Sequence, residues 1–272
     1  YGLEGANIER FKSRGSTWDG IKGELWEISP GKTKLADYDD ITAMLASGSQ
    51  NADVEAELIW VKEGSQKDFE GLDVKGKIVV TSGSPRSVAS EATKNGALGL
   101  ISFNSPRPLV DPLQIPLSGV SGRGSSDDSP PVFGFMLPPR EGHLLRNRLT
   151  RGEKIKVHAL VESQMVDYEY EVPTCVIPGT DPNAEEVIFS AHIFEGLVKQ
   201  GANDNISGSA AILEVARMLK TMIDEGRLPA PKRSIRFIWV PEFSGTGPWV
   251  QAHKDIMEKT LCNINLDMVG LW

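Results

Sequence analysis

Apolar residues along the chain fall into short runs separated by polar and Gly-rich or Ser-rich turns, and these runs predict the regular elements. In the N-terminal part the pattern predicts strands over residues 7–11 and 23–28, with a break over 13–16, where Ser and Gly interrupt it. The central part alternates strand-like and helix-like runs. We predict strands over 56–61, 78–81, 99–103, 132–136 and 155–161 and helices over 87–95 and 140–151. This alternation is typical of a small α/β module.

The C-terminal part has longer apolar runs, which predict strands over 170–177, 187–191, 235–240 and 262–268. Between the second and third of these, Ile212, Val215, Ala216 and Leu219 are spaced as one face of an α-helix. Strands with little alternation, separated by helices, indicate a sheet that is covered on both faces. The predicted fold is therefore α/β, with a mixed, mostly parallel sheet flanked by helices.

The change of pattern near residues 161–168 predicts two domains, and a length of 272 residues suits two. We assign residues 1–16 and 166–272 to one domain and 17–165 to a smaller α/β domain inserted into it. The stretch 104–131 is rich in Ser, Gly and Pro and is predicted to be a long loop, which in a compact domain is usually functional.

Composition argues against two classes of partner. The formal net charge is −8 and there is no basic tract, which argues against nucleic acid because phosphate binding needs clustered Lys and Arg. No apolar run approaches the roughly 18 to 20 residues of a membrane-spanning helix. Cys175 and Cys262 lie in apolar runs and are interpreted as buried free thiols. The oligomeric state is not predictable from these features.

Candidate metal ligands stand at the ends of predicted strands. His192, Glu242 and Asp267 each follow an apolar run, and Asp204 lies in a turn directly before the predicted helix. In an open α/β sheet, such positions face a common crevice. One imidazole with several carboxylates suits Zn²⁺, and a shared carboxylate can hold two ions about 3.5 to 4 Å apart. These residues therefore suggest hydrolysis by a water that the metal activates.

Each of these residues also has a structural interpretation. His192 could be a hydrogen-bonded core histidine, and Asp204 could cap the following helix. Glu242 and Asp267 could be solvated carboxylates at the rim of the sheet. Composition and spacing leave both interpretations open.

Four sequence blocks, in order, resemble the zinc aminopeptidase and glutamate carboxypeptidase family, which has two co-catalytic metals. They are S-A-H at 190–192, G-A-N-D-N-I-S-G at 201–208, the run 233–242 that ends in P-E, and N-L-D-M-V-G at 265–270. The resemblance implies a zinc-dependent exopeptidase that acts on peptides, with two zinc ions in the whole protein. His192 would bind one zinc, Asp204 would bridge both and Asp267 would be a further ligand, with a cis peptide between Asp204 and Asn205. It also favours a secreted or extracytoplasmic location.

A second resemblance concerns the predicted insertion. The runs D-V-K-G-K-I-V-V at 73–80 and N-G-A-L-G-L-I at 95–101 are similar to a protease-associated domain. In this family, that domain is commonly inserted into the peptidase and covers or shapes its cleft.

The sequence departs from the family pattern at three places. The family has H-x-D where this chain has Phe194, so the carboxylate is lost or displaced to Glu195. The family has two adjacent glutamates, whereas Pro241 and Phe243 flank Glu242 alone, which fits either the general base or a zinc ligand. The family's last histidine ligand would lie beyond position 272, and the chain starts without Met, so we expect a longer polypeptide. These departures leave a non-catalytic homologue, a binding or scaffolding module, as the alternative.

Overall fold

The computed structural model describes residues 1–121, 132–194 and 201–270. The strands are β1 Glu4–Ser29, β2 Thr33–Asp37, β3 Ala52–Trp60, β4 Ile78–Thr81, β5 Gly99–Ser102, β6 Phe133–Met136, β7 Lys156–Ile177, β8 Glu186–Phe194, β9 Ile235–Pro241 and β10 Thr260–Asn265. The helices are α1 Gln66–Phe69, α2 Pro85–Lys94, α3 Pro139–Thr150, α4 Gly208–Asp224, α5 Thr246–Ala252 and α6 Lys254–Glu258. None of the helices in this part of the chain combines the length and apolar composition that a membrane span requires.

The chain divides into two compact units. Residues Tyr1–Arg14 and Tyr168–Trp272 form the terminal unit, and Gly15–Asp167 forms the middle unit. The predicted domain boundaries, after residues 16 and 165, each lie two residues from these divisions. The long strands β1 and β7 both contain a boundary.

The middle unit is built on the parallel strands β3, β4, β5 and β6, with β7 antiparallel to β3 and β2 antiparallel to β1. Successive residues of β4 face opposite sides. Ile78 and Val80 join the core cluster that includes Leu145 of α3, whereas Val79 packs with Val88 of α2. Helices therefore cover both faces, as the unbroken apolar runs predict.

The terminal unit has strand order β10-β8-β9-β7, in which β10, β8 and β9 are parallel and β7 is antiparallel to β9. The predicted face of α4 is confirmed, since Ile212 and Ala216 are fully buried against Phe237 of β9. On the other face, Ile188 and Ile238 pack with Trp249 of α5. Together the two units give the predicted α/β fold with mostly parallel strands.

Several predicted bounds are wrong. Strand β1 runs without a break through 13–16, and β7 continues through the expected break at 161–168. Main-chain ladder hydrogen bonds do not depend on side-chain polarity, so paired strands can continue through Ser and Gly. The last strand ends at Asn265 rather than 268, and Cys262 within it is exposed, not buried. Of the predicted loop 104–131, residues 122–131 lie outside the described part.

Candidate metal centre

Three parallel strands of the terminal unit deliver their carboxyl ends to one edge of the sheet. Ser190 of β8 is level with Asn265 of β10 and with Ile238 of β9. Because all three strands run in the same direction, His192 near the end of β8 and Asp267 just after β10, each two residues further on, lie at the same level of the sheet. This is the crevice position at which open α/β sheets carry their functional side chains. The predicted strand over 187–191 is too short, since β8 continues through His192 to Phe194.

His192, Asp204 and Asp267 form a group of metal-ligand type. The Nε2 atom of His192 lies 3.1 Å from Oδ1 of Asp204 and 3.6 Å from Oδ1 of Asp267. One ligand atom from each of the three lies within 4.8 Å of the others. The imidazole is buried and the two carboxylates are more exposed, so the group opens towards solvent on its acidic side.

Asp204 reaches the group from the turn Ala202–Ser207, which precedes α4. Asp204 and Asn205 leave the helical conformation, and the peptide bond between them is cis, as the family resemblance implies. At the start of this turn, Gly201 has a φ of 62°, a left-handed conformation that glycine adopts at little cost. The backbone thereby turns before the helix and presents Asp204 to His192.

The buried side chain of Asn205 joins the Asp204 turn to the Asp267 loop. Its Nδ2 donates to the Leu266 carbonyl at 2.9 Å, and its Oδ1 accepts from the backbone N–H groups of Gly208 at 3.0 Å and Met268 at 3.1 Å. Asn205 thus holds two chain segments that are far apart in sequence and that carry the two aspartates.

Close packing at the start of α4 explains a glycine in this block. A Cβ atom at Gly208 would lie 2.3 Å from Oδ1 of Asn205 and 2.3 Å from the Leu266 carbonyl oxygen. No real Cβ contact is that short, so any side chain here would push the two loops apart. The next residue, Ser209, donates its hydroxyl to the His192 carbonyl at 2.8 Å and so fixes the end of β8 against the helix.

The geometry fits a zinc ion. Ligand atoms about 2.0 to 2.1 Å from a tetrahedral Zn²⁺ are separated from one another by roughly 3.3 Å, close to the two distances measured from Nε2 of His192. Two carboxylates that converge on one imidazole nitrogen also repel each other, and a divalent cation would balance their charge. The donor set and its spacing therefore fit a zinc ion.

The second nitrogen of the His192 imidazole differs from the first in its surroundings. Nδ1 of His192 is buried and has no hydrogen-bond partner among the described residues. Metal-binding histidines usually donate this N–H to a carboxylate or carbonyl group. Phe194 carries no hydrogen-bond acceptor in its side chain, and Glu195, the displaced carboxylate considered above, lies outside the described residues.

Glu242 follows β9 at the same edge of the sheet and is partly exposed. Within the described residues, it is not a member of the His192, Asp204 and Asp267 group. The turn that carries it is tight, because a Cβ at Gly245 would lie 2.3 Å from the Pro241 ring. The structure thus brings three of the four predicted residues together and leaves the role of Glu242 a prediction.

Sequence reasoning did not identify the supporting residues Asn205, Gly208 and Ser209 as a unit. Their signal was present in the G-A-N-D-N-I-S-G block and the serine after it, where an amide, a glycine and a hydroxyl surround the candidate ligand. The sequence does not show the hydrogen-bond partner of Asn205, because the Asp267 loop lies more than 60 residues further along.

Residues 174–271, which contain the metal-ligand group, match the model of Peptidase family M28. The chain is 30% identical over 243 residues to Aminopeptidase YwaD of Bacillus subtilis (strain 168), a match that spans 85% of this chain and 48% of that protein. The family model and this relative support membership of Peptidase family M28.

Solved structures show the same fold. The chain superposes on BSAP, a zinc aminopeptidase from Bacillus subtilis, with a TM-score of 0.66 at 23% identity over 98% of this chain and 60% of that one. On the aminopeptidase from Aneurinibacillus sp. strain AM-1 the TM-score is 0.60 at 24% identity, over 98% and 61% of the two chains. The chain spans about half the length of the curated relative it matches.

Proposed function

We propose that the chain is the metal-binding part of a zinc-dependent exopeptidase of the M28 type, aminopeptidase-like, that hydrolyses peptide bonds. The observation that carries this proposal is the convergence of His192, Asp204 and Asp267 within the segment that matches the M28 model. The names of the relatives, an aminopeptidase and a zinc aminopeptidase, support the same activity.

We assign zinc binding to these three residues, with Asp204 as the carboxylate that two ions would share. When bound, zinc supplies Lewis acidity, which polarises a carbonyl oxygen and acidifies water. The residues of the chain position the metal ligands. Asn205 and Ser209 hold the ligand-bearing segments in register, and the buried His192 imidazole sets where the carboxylates meet.

Glu242 is the proposed general base. Peptide hydrolysis needs a group that takes a proton from water and passes it to the leaving amine. Where the family has two adjacent glutamates, this chain has one, and a water replaces a lost carboxylate ligand more readily than it replaces a positioned proton acceptor. The position of Glu242 outside the three-residue group supports the base role over the ligand role.

The middle unit is proposed to be a protease-associated domain that influences which peptides are hydrolysed. Its separate core and its α/β order support this assignment. Removing it from the expressed protein should change the preference between short and long peptides more than the turnover of a single amino-acid amide. Unchanged preference would contradict the assignment.

The zinc site is tested by thermal unfolding of the apo-protein with and without zinc. Zinc at 100 times its Kd should stabilise the protein by about 2.7 kcal/mol, because a ligand that binds only the folded state adds RT ln(1 + [L]/Kd). His192→Ala should lose this increment, whereas His158→Ala, on a strand of the middle unit, should keep it. Equal stabilisation of both variants would refute the assignment.

The base role is tested with Glu242→Gln, and Glu258→Gln in α6 serves as a matched control with an exposed carboxylate. Retained zinc with turnover reduced by roughly 10² or more would support the base role. Lost zinc would make Glu242 a ligand. If the unmodified protein binds no zinc and hydrolyses no peptide, the non-catalytic homologue replaces this proposal.

A further inference from the structure

We propose that the middle unit carries a peptide-binding groove between β2 and α3, in which an extended segment with an apolar side chain and an acidic group pairs with the edge of β2. All residues that line the groove belong to the middle unit, and the proposal holds whether or not the chain is an enzyme.

The groove is an open cavity of about 800 Å³. One wall is the end of the β1–β2 hairpin and the other is the exposed stripe of α3. The lining includes Thr33, Lys34, Leu35, Leu144, Arg148 and Arg151. The volume lies in the range of ligand sites, roughly 300 to 1,000 Å³.

The first wall is an unpaired strand edge. Among the described residues, β2 pairs with β1 and with no other strand. Its residues Thr33, Lys34 and Leu35 line the groove. An exposed edge presents N–H and C=O groups to which an extended peptide adds as a further strand, while neighbouring pockets take its alternate side chains.

The parts of the two walls that line the groove have similar lengths. Thr33, Lys34 and Leu35 extend about 10 Å at 3.3 to 3.4 Å each. On α3, the lining runs from Glu141 to Arg148, about 12 Å at 1.5 Å per residue. A segment of about three extended residues therefore fits between them, with the rest of a peptide continuing beyond the groove.

The floor of the groove is apolar. Leu137 and Leu145 are buried, Leu35 is partly buried, and Leu144 on α3 is 54% exposed. A leucine exposed to that extent beside buried leucines can gain contacts from an apolar side chain that enters from solvent. This is where we place the apolar residue of the peptide.

The charges of the groove favour an acidic group at one end. Arg148 is already occupied, because it donates to both carboxylate oxygens of Glu27 at 2.6 and 2.7 Å and also to Glu153. Lys34 pairs with Asp40 at 2.6 Å. Glu141, which also lines the groove, pairs with Arg140 at 2.9 Å.

Arg151, unlike these charged residues, is exposed and forms no ion pair with the described residues. The net charge of the protein is −8, yet the guanidinium group of Arg151 has no acidic partner among the described residues. It is therefore complementary to a carboxylate of a bound peptide.

The test uses a fluorescein-labelled hexapeptide of alternating threonine and leucine that ends in aspartate, with binding followed by fluorescence anisotropy. The unmodified protein should bind it saturably. Leu144→Asp should weaken binding at least tenfold, whereas Leu109→Asp should leave it unchanged, since Leu109 is 92% exposed in the same unit and does not line the groove. Because both positions are exposed, both variants should fold, which their melting temperatures would show.

Two further measurements separate the contribution of Arg151 from that of the main-chain hydrogen bonds to β2. Arg151→Ala should weaken binding of the acidic peptide at least threefold and remove its preference over the same peptide ending in asparagine amide. N-methylation of alternate peptide nitrogens should weaken binding at least tenfold, because it removes main-chain donors. No saturable binding, or equal binding by Leu144→Asp, would overturn the groove, and full binding of the N-methylated peptide would overturn strand addition. Performing the assay with a chelator present keeps the result independent of the zinc proposal.

Discussion

Replacing Asn205 by Ala tests whether the link between the two aspartate-bearing segments builds the metal site. The substitution removes three hydrogen bonds, one donated to the Leu266 carbonyl and two accepted from the backbone of Gly208 and Met268. Each buried hydrogen bond contributes about 1 kcal/mol net. Because Met268 is exposed, its N–H can be hydrated in the variant, so we expect a loss of about 2 to 3 kcal/mol in the free energy of unfolding.

We expect a second effect of the substitution, on zinc affinity, which should be proportionally larger than the effect on stability. Without the Asn205 side chain, the hydrogen bonds that join the Asp204 turn to the Asp267 loop are lost, so the two aspartates are held less firmly at their present distances from His192. Loss of groups that orient metal ligands typically lowers metal affinity 10-fold to 100-fold. Urea unfolding of the apo-protein would measure the first effect, and zinc competition against a chromophoric chelator would measure the second.

Asn203→Ala is the matched control, because Asn203 lies in the same turn and, among the described residues, its side chain makes one hydrogen bond, a 3.4 Å contact with Ser207. It should change stability by less than about 1 kcal/mol and leave zinc affinity within about threefold. If Asn205→Ala matched this control in both measurements, the reasoning that Asn205 ties the site together would be refuted.

Two further predictions concern packing and pH. Gly208→Ala should cost about 1 to 3 kcal/mol in the free energy of unfolding, because its Cβ would lie 2.3 Å from a backbone oxygen, whereas Gly247→Ala has open space and should be neutral, as chemical denaturation would show. In the middle unit, hydrogen bonds from Arg148 hold the pKa of the buried Glu27 below its ordinary 4.5. Its contribution of about 2 kcal/mol is therefore present above pH 4.5 and is lost as the pH falls through the lowered pKa. Glu27→Gln should flatten the stability profile in that acidic range. Glu153→Gln, at the half-buried second partner of Arg148, should change stability by less than about 1 kcal/mol. Equal effects of the two substitutions would contradict this reasoning from burial.

The sequence alone determined the elements whose signal is local. Strand β4 was predicted with its observed bounds, and α4 with its buried face, because an apolar run or a 3.6-residue period reports directly on one element. The position of Asp267 after a strand follows from the same signal, whereas β8 continues past His192 to Phe194. The family resemblance added the cis peptide before Asn205, which no pattern of polarity encodes.

The tertiary structure decided what depends on partners distant in sequence. Strands β1 and β7 continue through polar stretches that read as breaks, and β10 ends before its apolar run does, because pairing with another strand sets where a strand ends. The amide of Asn205 became part of the site only when the fold placed the Asp267 loop beside it. The unpaired edge of β2 facing α3 is likewise invisible in either segment alone. Hydrogen bonds and packing act between atoms that folding brings together, and a linear pattern records only one side of each such contact.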